Sequence, residues 1–306
     1  MIAILGATGT IGRSLAYRLA RHSEGLALFA RNPSSLANES WPAQVSVLAL
    51  EEFEARSFDL VINAIGAGDP ARIAAIGADI LDVSRTWDER VLDTMGPETR
   101  YVFLSSGAVY ETQFAEPAAA DGGLGLGLDD LSGIPHYTIA KLQAEARHRQ
   151  VPDRAILDVR VFGYADVTIP IGGRFFLSEL ARSIIGRRPF VTTPQDMVRD
   201  YAGAQELTTL IECWRANAAP NTVLDLYTKA PVSKHELLKI AQSRYGLQID
   251  TCGSVQQSPT GEKPTYASRN RAAAALGYRP MRTAVEVVID VLDALVKMPR
   301  TRDCYS

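Results

Sequence analysis

Cysteine is scarce in this chain of 306 residues: Cys213, Cys252 and Cys304 are three in number and far apart. Such a set gives neither a disulfide framework nor a metal-ligand pattern, so a reducing compartment and a site without metal are expected. Long blocks of like charge are also missing. The 32 basic and 35 acidic residues are interspersed and leave a net charge of −3, which argues against nucleic acid or a membrane surface as partner. Any anionic ligand must then be held by a few placed arginines. Polar residues interrupt every apolar run well short of membrane-spanning length, and the first strand begins at Met1. Neither a signal peptide nor a transmembrane helix is read, and a cytoplasmic enzyme is expected.

The most informative segment that is present is Gly6-Ala7-Thr8-Gly9-Thr10-Ile11-Gly12. It follows the apolar run Ile2-Ala3-Ile4-Leu5 and opens a helical pattern, predicting strand, glycine turn and helix. Glycines let the backbone turn sharply and approach a pyrophosphate, and the helix N-terminus offers N–H groups to its charge. The spacing is GxxGxxG, and a dinucleotide site is expected there.

Strands and helices alternate beyond it. The pattern predicts a helix from about Ile11 to His22 and strands at Leu26–Ala30, Val45–Leu50 and Leu60–Ala64, the last ending in Gly66 and Gly68. An amphipathic stretch from Ile80 to Met95, a strand Tyr101–Ser105, a helix from Tyr137 and a strand Ile156–Phe162 follow. This order argues an α/β fold, a Rossmann-type doubly wound parallel sheet over residues 1–162, with its ligand at the carboxyl ends of the strands. Beyond Gly163 short strands (Phe190–Thr192, Val223–Tyr227) mix with helices near Phe175–Ile185, Ala204–Ala216, Lys234–Tyr245, Arg269–Leu276 and Ala284–Val296. Ser233-x-x-Glu236 reads as a capping box at one helix start. Residues 163–306 are therefore expected to form a smaller substrate lobe, with the strand near 223–227 returning to the first domain. The glycine- and alanine-rich stretch 115–133 reads as a surface loop at the mouth of the site, either a lid or a plain connector.

Tyr137-Thr138-Ile139-Ala140-Lys141 places a phenol and an ammonium one helical turn apart on one face. A neighbouring lysine cation and an oxidised nicotinamide both favour phenolate and would bring Tyr137 toward a useful acid/base range. Ser105-Ser106-Gly107-Ala108-Val109-Tyr110 stands at the end of a strand, where a hydroxyl can hydrogen-bond a reacting oxygen. His22, His148 and His235 suggest no role; His136, next to Tyr137, could touch substrate or be an ordinary surface residue.

Together these segments resemble the extended short-chain dehydrogenase/reductases, the nucleotide-sugar epimerase/dehydratase family. Phe103 to Tyr110 looks like its serine strand, Tyr137 to Lys141 its Tyr-x-x-x-Lys, Val159 to Phe162 the strand beside the nicotinamide, Val198-Arg199-Asp200-Tyr201 its Arg-Asp-Tyr segment, and Leu276 to Pro280 its closing turn. The resemblance implies that Ser106 positions the reacting oxygen, Tyr137 transfers the proton, and Lys141 binds the nicotinamide ribose. It implies cofactor contacts at Gly6, Thr8, Gly9, Thr10, Ile11, Gly12, Ala64, Gly66 and Phe162. Substrate diphosphate would lie on Arg199, with Arg174 as a further phosphate candidate, and a homodimer is expected.

Departures narrow the chemistry. Gly107 and Ala108 stand where dehydratases carry Asp-Glu, which argues against a 4,6-dehydratase; no cysteine stands there, which argues against the epimerase-reductase that makes GDP-fucose. Ala30-Arg31 replaces the aspartate that takes the adenosine ribose in NAD-preferring members, so NADP is expected with Arg31 on its 2′-phosphate, unless Arg31 is simply solvated. Gly163 replaces a substrate-touching asparagine, and the stretch after Asn63-Ala64-Ile65-Gly66 is shorter than usual. The expected activity is an NADP-dependent reductase of a nucleotide-linked 4-keto (6-deoxy) sugar. The alternatives are a nucleotide-sugar epimerase with tightly bound NAD and a non-catalytic dinucleotide-binding sensor.

Overall fold

The computed structural model describes residues 1–66, 70–110, 114, 116–119, 134–253 and 263–298. In chain order the first half forms β1 (Ile2–Leu5), α1 (Thr10–Leu19), β2 (Leu26–Ala30), α2 (Ser34–Ala37), β3 (Val45–Ala49), β4 (Leu60–Asn63), α3 (Pro70–Ile76), α4 (Asp79–Thr94), β5 (Arg100–Ser106), α5 (His136–Arg149) and β6 (Ile156–Val161). The second half adds β7 (Gly163–Tyr164), α6 (Phe176–Gly186), β8 (Phe190–Thr192), β9 (Val198–Arg199), β10 (Tyr201–Ala202), α7 (Ala204–Ala216), β11 (Thr222–Asp225), β12 (Val232–Ser233), α8 (Lys234–Tyr245), β13 (Ile249–Thr251), β14 (Thr265–Tyr266) and α9 (Ala284–Lys297).

Seven strands form one parallel sheet in the order β3-β2-β1-β4-β5-β6-β11. Strands covered on both faces must be apolar throughout, and β2, Leu-Ala-Leu-Phe-Ala, is buried at every position. The Rossmann-type fold read from the alternation is the observed one. The chain runs outward from β1 to β3, then crosses back to β4, so the topological switch lies between β1 and β4. The turns leaving both strands meet there: a Cβ on Gly6 would lie 3.0 Å from the Ala64 carbonyl and the Ile65 amide. Gly6 has φ +74°, open to glycine at little cost.

After β6 the chain builds a second apolar core, in which Leu177 and Leu180 of α6, Leu237 of α8 and Val287 and Val291 of α9 are buried together. It returns to the main sheet at β11, which pairs in parallel with β6 at Thr222 and Leu157. Small sheets join the two regions locally: β7 pairs with β10, and β9 lies between β12 and β14. The Ser233 side chain accepts the Glu236 amide at the start of α8, as the capping box predicts. The expected helix over Arg269–Leu276 is instead a 3₁₀ turn confined to Ala272–Leu276, where the alanine run ends at Gly277 with φ +85°. Most of the 115–133 loop lies outside the described residues; within it, Ala118 donates its N–H to the Ala267 carbonyl at 2.8 Å.

Candidate active site

The β1 exit is a tight glycine turn. Gly6 and Ala7 anchor their N–H groups on the Phe29 carbonyl, so the turn rises from the sheet at a fixed place. A Cβ on Gly12 would stand 2.3 Å from the Gly6 carbonyl oxygen, and only glycine lets α1 seat this close to the turn. Gly9 caps α1 with no side-chain hydrogen bond, and no acidic residue occupies the first turn, so the positive helix end is left uncovered. Thr10 and Ile11 begin that helix, and Thr8 is exposed beside it. Thr168 Oγ1 donates to the Thr10 carbonyl at 2.9 Å, tying the segment after β7 to the same turn. Arg31 is exposed at the end of β2.

At the end of β5, Ser106 is buried, and its Oγ accepts the Ala108 N–H at 3.2 Å. The Tyr137 phenol stands in the first turn of α5. Burial pushes it above its ordinary pKa, and the neighbouring Ser106 hydroxyl works in the opposite direction. Lys141 is 4% exposed, and its own pKa is pulled down to about 8 by burial, against the raising effect of the carboxylates of Asp88, Asp158 and Glu145. Its Nζ donates to the Leu104 carbonyl at 2.7 Å, 4.4 Å from the Phe103 ring centre and 5.7 Å from that of Tyr137. A Cβ on Gly66 would lie 3.7 Å from this Nζ, so the β4 exit and Lys141 are adjacent.

Both glycine departures have steric causes. A Cβ on Gly107 would fall 2.4 Å from Phe162 Cδ1, because the Phe162 ring fills that space. A Cβ on Gly163 would fall 2.6 Å from the Asp200 carbonyl oxygen, the consequence of β7 pairing with β10. Arg199 sends Nη1 to the carbonyls of Val198 at 2.8 Å and Lys263 at 2.7 Å, and burial lowers its pKa. Arg174 and His136 are exposed, ahead of α6 and at the first residue of α5.

Sequence reasoning missed two groups. Tyr266, on β14, brings its hydroxyl to 3.1 Å from Ser106 Oγ. Beneath Lys141, His148 is fully buried between Asp158 at 2.6 Å and Asp88 at 2.7 Å, which hold its pKa up at about 9 despite burial. Tyr101 links Asp88 to Asn63, whose Oδ1 accepts the Ile65 N–H at the β4 exit. Ser105 donates to Glu145 at 2.6 Å, and Arg160 closes on the same carboxylate. A signal for this set was available, since Lys141, Glu145 and His148 share one helical stripe.

A serine, a tyrosine and a lysine thus gather near the strand ends of a Rossmann sheet, beside a glycine turn. Residues 2–149 match the model of the NAD dependent epimerase/dehydratase family. No curated protein sequence matches the chain. Among solved structures, it is similar to UDP-glucuronic acid 4-epimerase from Bacillus cereus in complex with UDP-glucuronic acid and NAD, at 14% identity over 96% of this chain and 98% of that one, TM-score 0.72. The dTDP-glucose 4,6-dehydratase DesIV from Streptomyces venezuelae, a double mutant with NAD bound, is 13% identical over 96% of each chain, TM-score 0.74. RMD from Pseudomonas aeruginosa complexed with NADPH is 18% identical over 97% of this chain and 99% of that one, TM-score 0.67. At these identities the likeness shows the shared fold. Among the described residues no helix is long and apolar enough to cross a membrane, and no cluster of side chains could hold a metal ion.

Proposed function

We propose that this chain is an NADP-dependent reductase of a nucleotide-linked 4-keto (6-deoxy) sugar. The observation that supports the reading is the grouping of Ser106, Tyr137 and Lys141 at a strand end where Phe162 fills the space beside Gly107. The uncapped α1 terminus and the close seating of Gly6 and Gly12 fit a pyrophosphate, and Lys141 beside Gly66 fits the ribose of a dinucleotide. A bound reduced nicotinamide would supply the hydride that the carbonyl carbon needs. Ser106 holds the carbonyl oxygen by a hydrogen bond, and Tyr137 gives that oxygen its phenolic proton. Arg31 is the residue for a 2′-phosphate and Arg199 for the substrate diphosphate.

The likeness to UDP-sugar 4-epimerases bound to NAD favours a second reading, an epimerase using the same three residues and returning its hydride. Titrating cofactor-stripped protein with NADPH and NADH in parallel, by nicotinamide fluorescence, separates the two. Tighter NADPH, followed by turnover of 4-keto-6-deoxy nucleotide sugars, supports the reductase. NAD that copurifies and resists stripping moves the epimerase to first place.

A further inference from the structure

Ser106 carries one O–H donor and two acceptor lone pairs. The Ala108 N–H takes one lone pair, at 3.2 Å, and the Tyr266 hydroxyl lies 3.1 Å from the same Oγ. Tyr266 is enclosed by the rings of Phe114 at 5.1 Å and Phe162 at 5.2 Å, with the Lys263 ammonium 5.0 Å from its ring centre. The Tyr266 and Ser106 hydroxyls are hydrogen-bonded in a part-buried setting, a geometry in which the phenol can donate and Ser106 Oγ accept. We propose that Tyr266 is a positioning residue: its O–H fills the second lone pair of Ser106 Oγ and so directs the serine proton onto the Tyr137 oxygen and the reacting oxygen. The proposal rests on the reading of Ser106 and Tyr137 as the acid/base pair.

The support is structural on both sides of the phenol. β14 pairs with β9 so that Tyr266 stands opposite Arg199, and the Thr265 and Ala118 amides bond to the Phe114 and Ala267 carbonyls. The ring is thereby held from the region after β5 as well as from the second half of the chain. Gly107 completes the arrangement, because its missing Cβ lets Phe162 lie where it supports the Tyr266 ring. Burial pushes the Tyr266 phenol well above its ordinary pKa, which favours the neutral, donating form. With both lone pairs of Ser106 engaged, a serine proton aimed at Tyr137 stabilises the phenolate. Tyr266 thus acts on Tyr137 through Ser106, touching neither hydride nor proton transfer itself.

The test is a titration of the full chain labelled with 13Cζ-tyrosine, with the Tyr137 resonance assigned by its loss in Tyr137→Phe. The Tyr137 midpoint is expected to rise by about one pH unit in Tyr266→Phe, and the same substitution in a Ser106→Ala background is expected to add nothing. An unmoved midpoint in Tyr266→Phe, or a full shift with Ser106 already gone, overturns the proposal. The unsubstituted chain gives a second check that does not depend on a variant folding: Tyr266 must remain neutral across the range in which Tyr137 ionises, and earlier ionisation of Tyr266 refutes its role as donor. No substrate is needed, so the two readings fail separately. A shifted midpoint with no keto-sugar turnover removes the reductase alone; turnover with an unshifted midpoint removes the role of Tyr266 alone.

Discussion

Gly107 and Phe162 are a matched pair: a Cβ on the glycine would lie 2.4 Å from Cδ1 of the phenylalanine, whose ring in turn contacts Tyr110 and Tyr266. Gly107→Ala is therefore expected to lower stability by about 1–3 kcal/mol through overpacking. Combined with Phe162→Leu, the loss should fall short of the sum of the single losses, because each substitution relieves or removes the contact that the other strains. Thermal or denaturant unfolding of the four proteins checks this; strict additivity would show that the ring does not control position 107.

Tyr137→Phe is expected to reduce kcat by at least about a hundredfold while leaving the cofactor Kd within about twofold, since it deletes the proton donor and little binding area. Steady-state kinetics and fluorescence titration measure the two separately. Substantial residual turnover would remove Tyr137 from the acid/base role.

Arg31→Ala is expected to weaken NADPH by about tenfold to a hundredfold, the worth of one charge-assisted hydrogen bond, and to leave NADH nearly unchanged. Equal losses for the two cofactors would count against the phosphate role and leave Arg31 as a solvated surface residue.

His148, gripped by Asp88 and Asp158, has a folded-state pKa raised to about 9 from an ordinary value near 6.5. Because the folded value is the higher one, its contribution is fully present below about pH 6.5 and is lost as pH rises toward 9. Comparing the wild type with His148→Gln isolates this contribution. The Tm gap between the two should be widest below pH 6.5 and narrow steadily above pH 7. A gap independent of pH would mean that folding leaves the imidazole pKa unchanged, and a gap that instead widens as pH rises through about 6.5 would mean that it is buried neutral.

Elements whose information is local were legible from the chain. β2 is a run of five buried apolar residues, and α5 carries Tyr137 and Lys141 one turn apart, so period and spacing alone announced both. The Arg269–Leu276 segment misled because an alanine run signals helix by propensity, whereas the turn into Gly277 shortened it to 3₁₀. The burial of Tyr137 and Lys141 was not legible, because it depends on what packs over a helix face and not on spacing along it.

What the sequence determined by itself was the strand, glycine turn and helix at the start of the chain, the parallel sheet and the serine, tyrosine and lysine near its strand ends. Each is encoded within a few residues, through backbone freedom at glycine or the pitch of a helix. Only the tertiary structure decided that Phe162 takes the space over Gly107, that the Asp200 carbonyl forbids a side chain at Gly163, and that Tyr266 reaches Ser106 across 160 residues of chain. Those relationships depend on the pairing of β7 with β10 and of β9 with β14, contacts between distant segments that no local periodicity encodes.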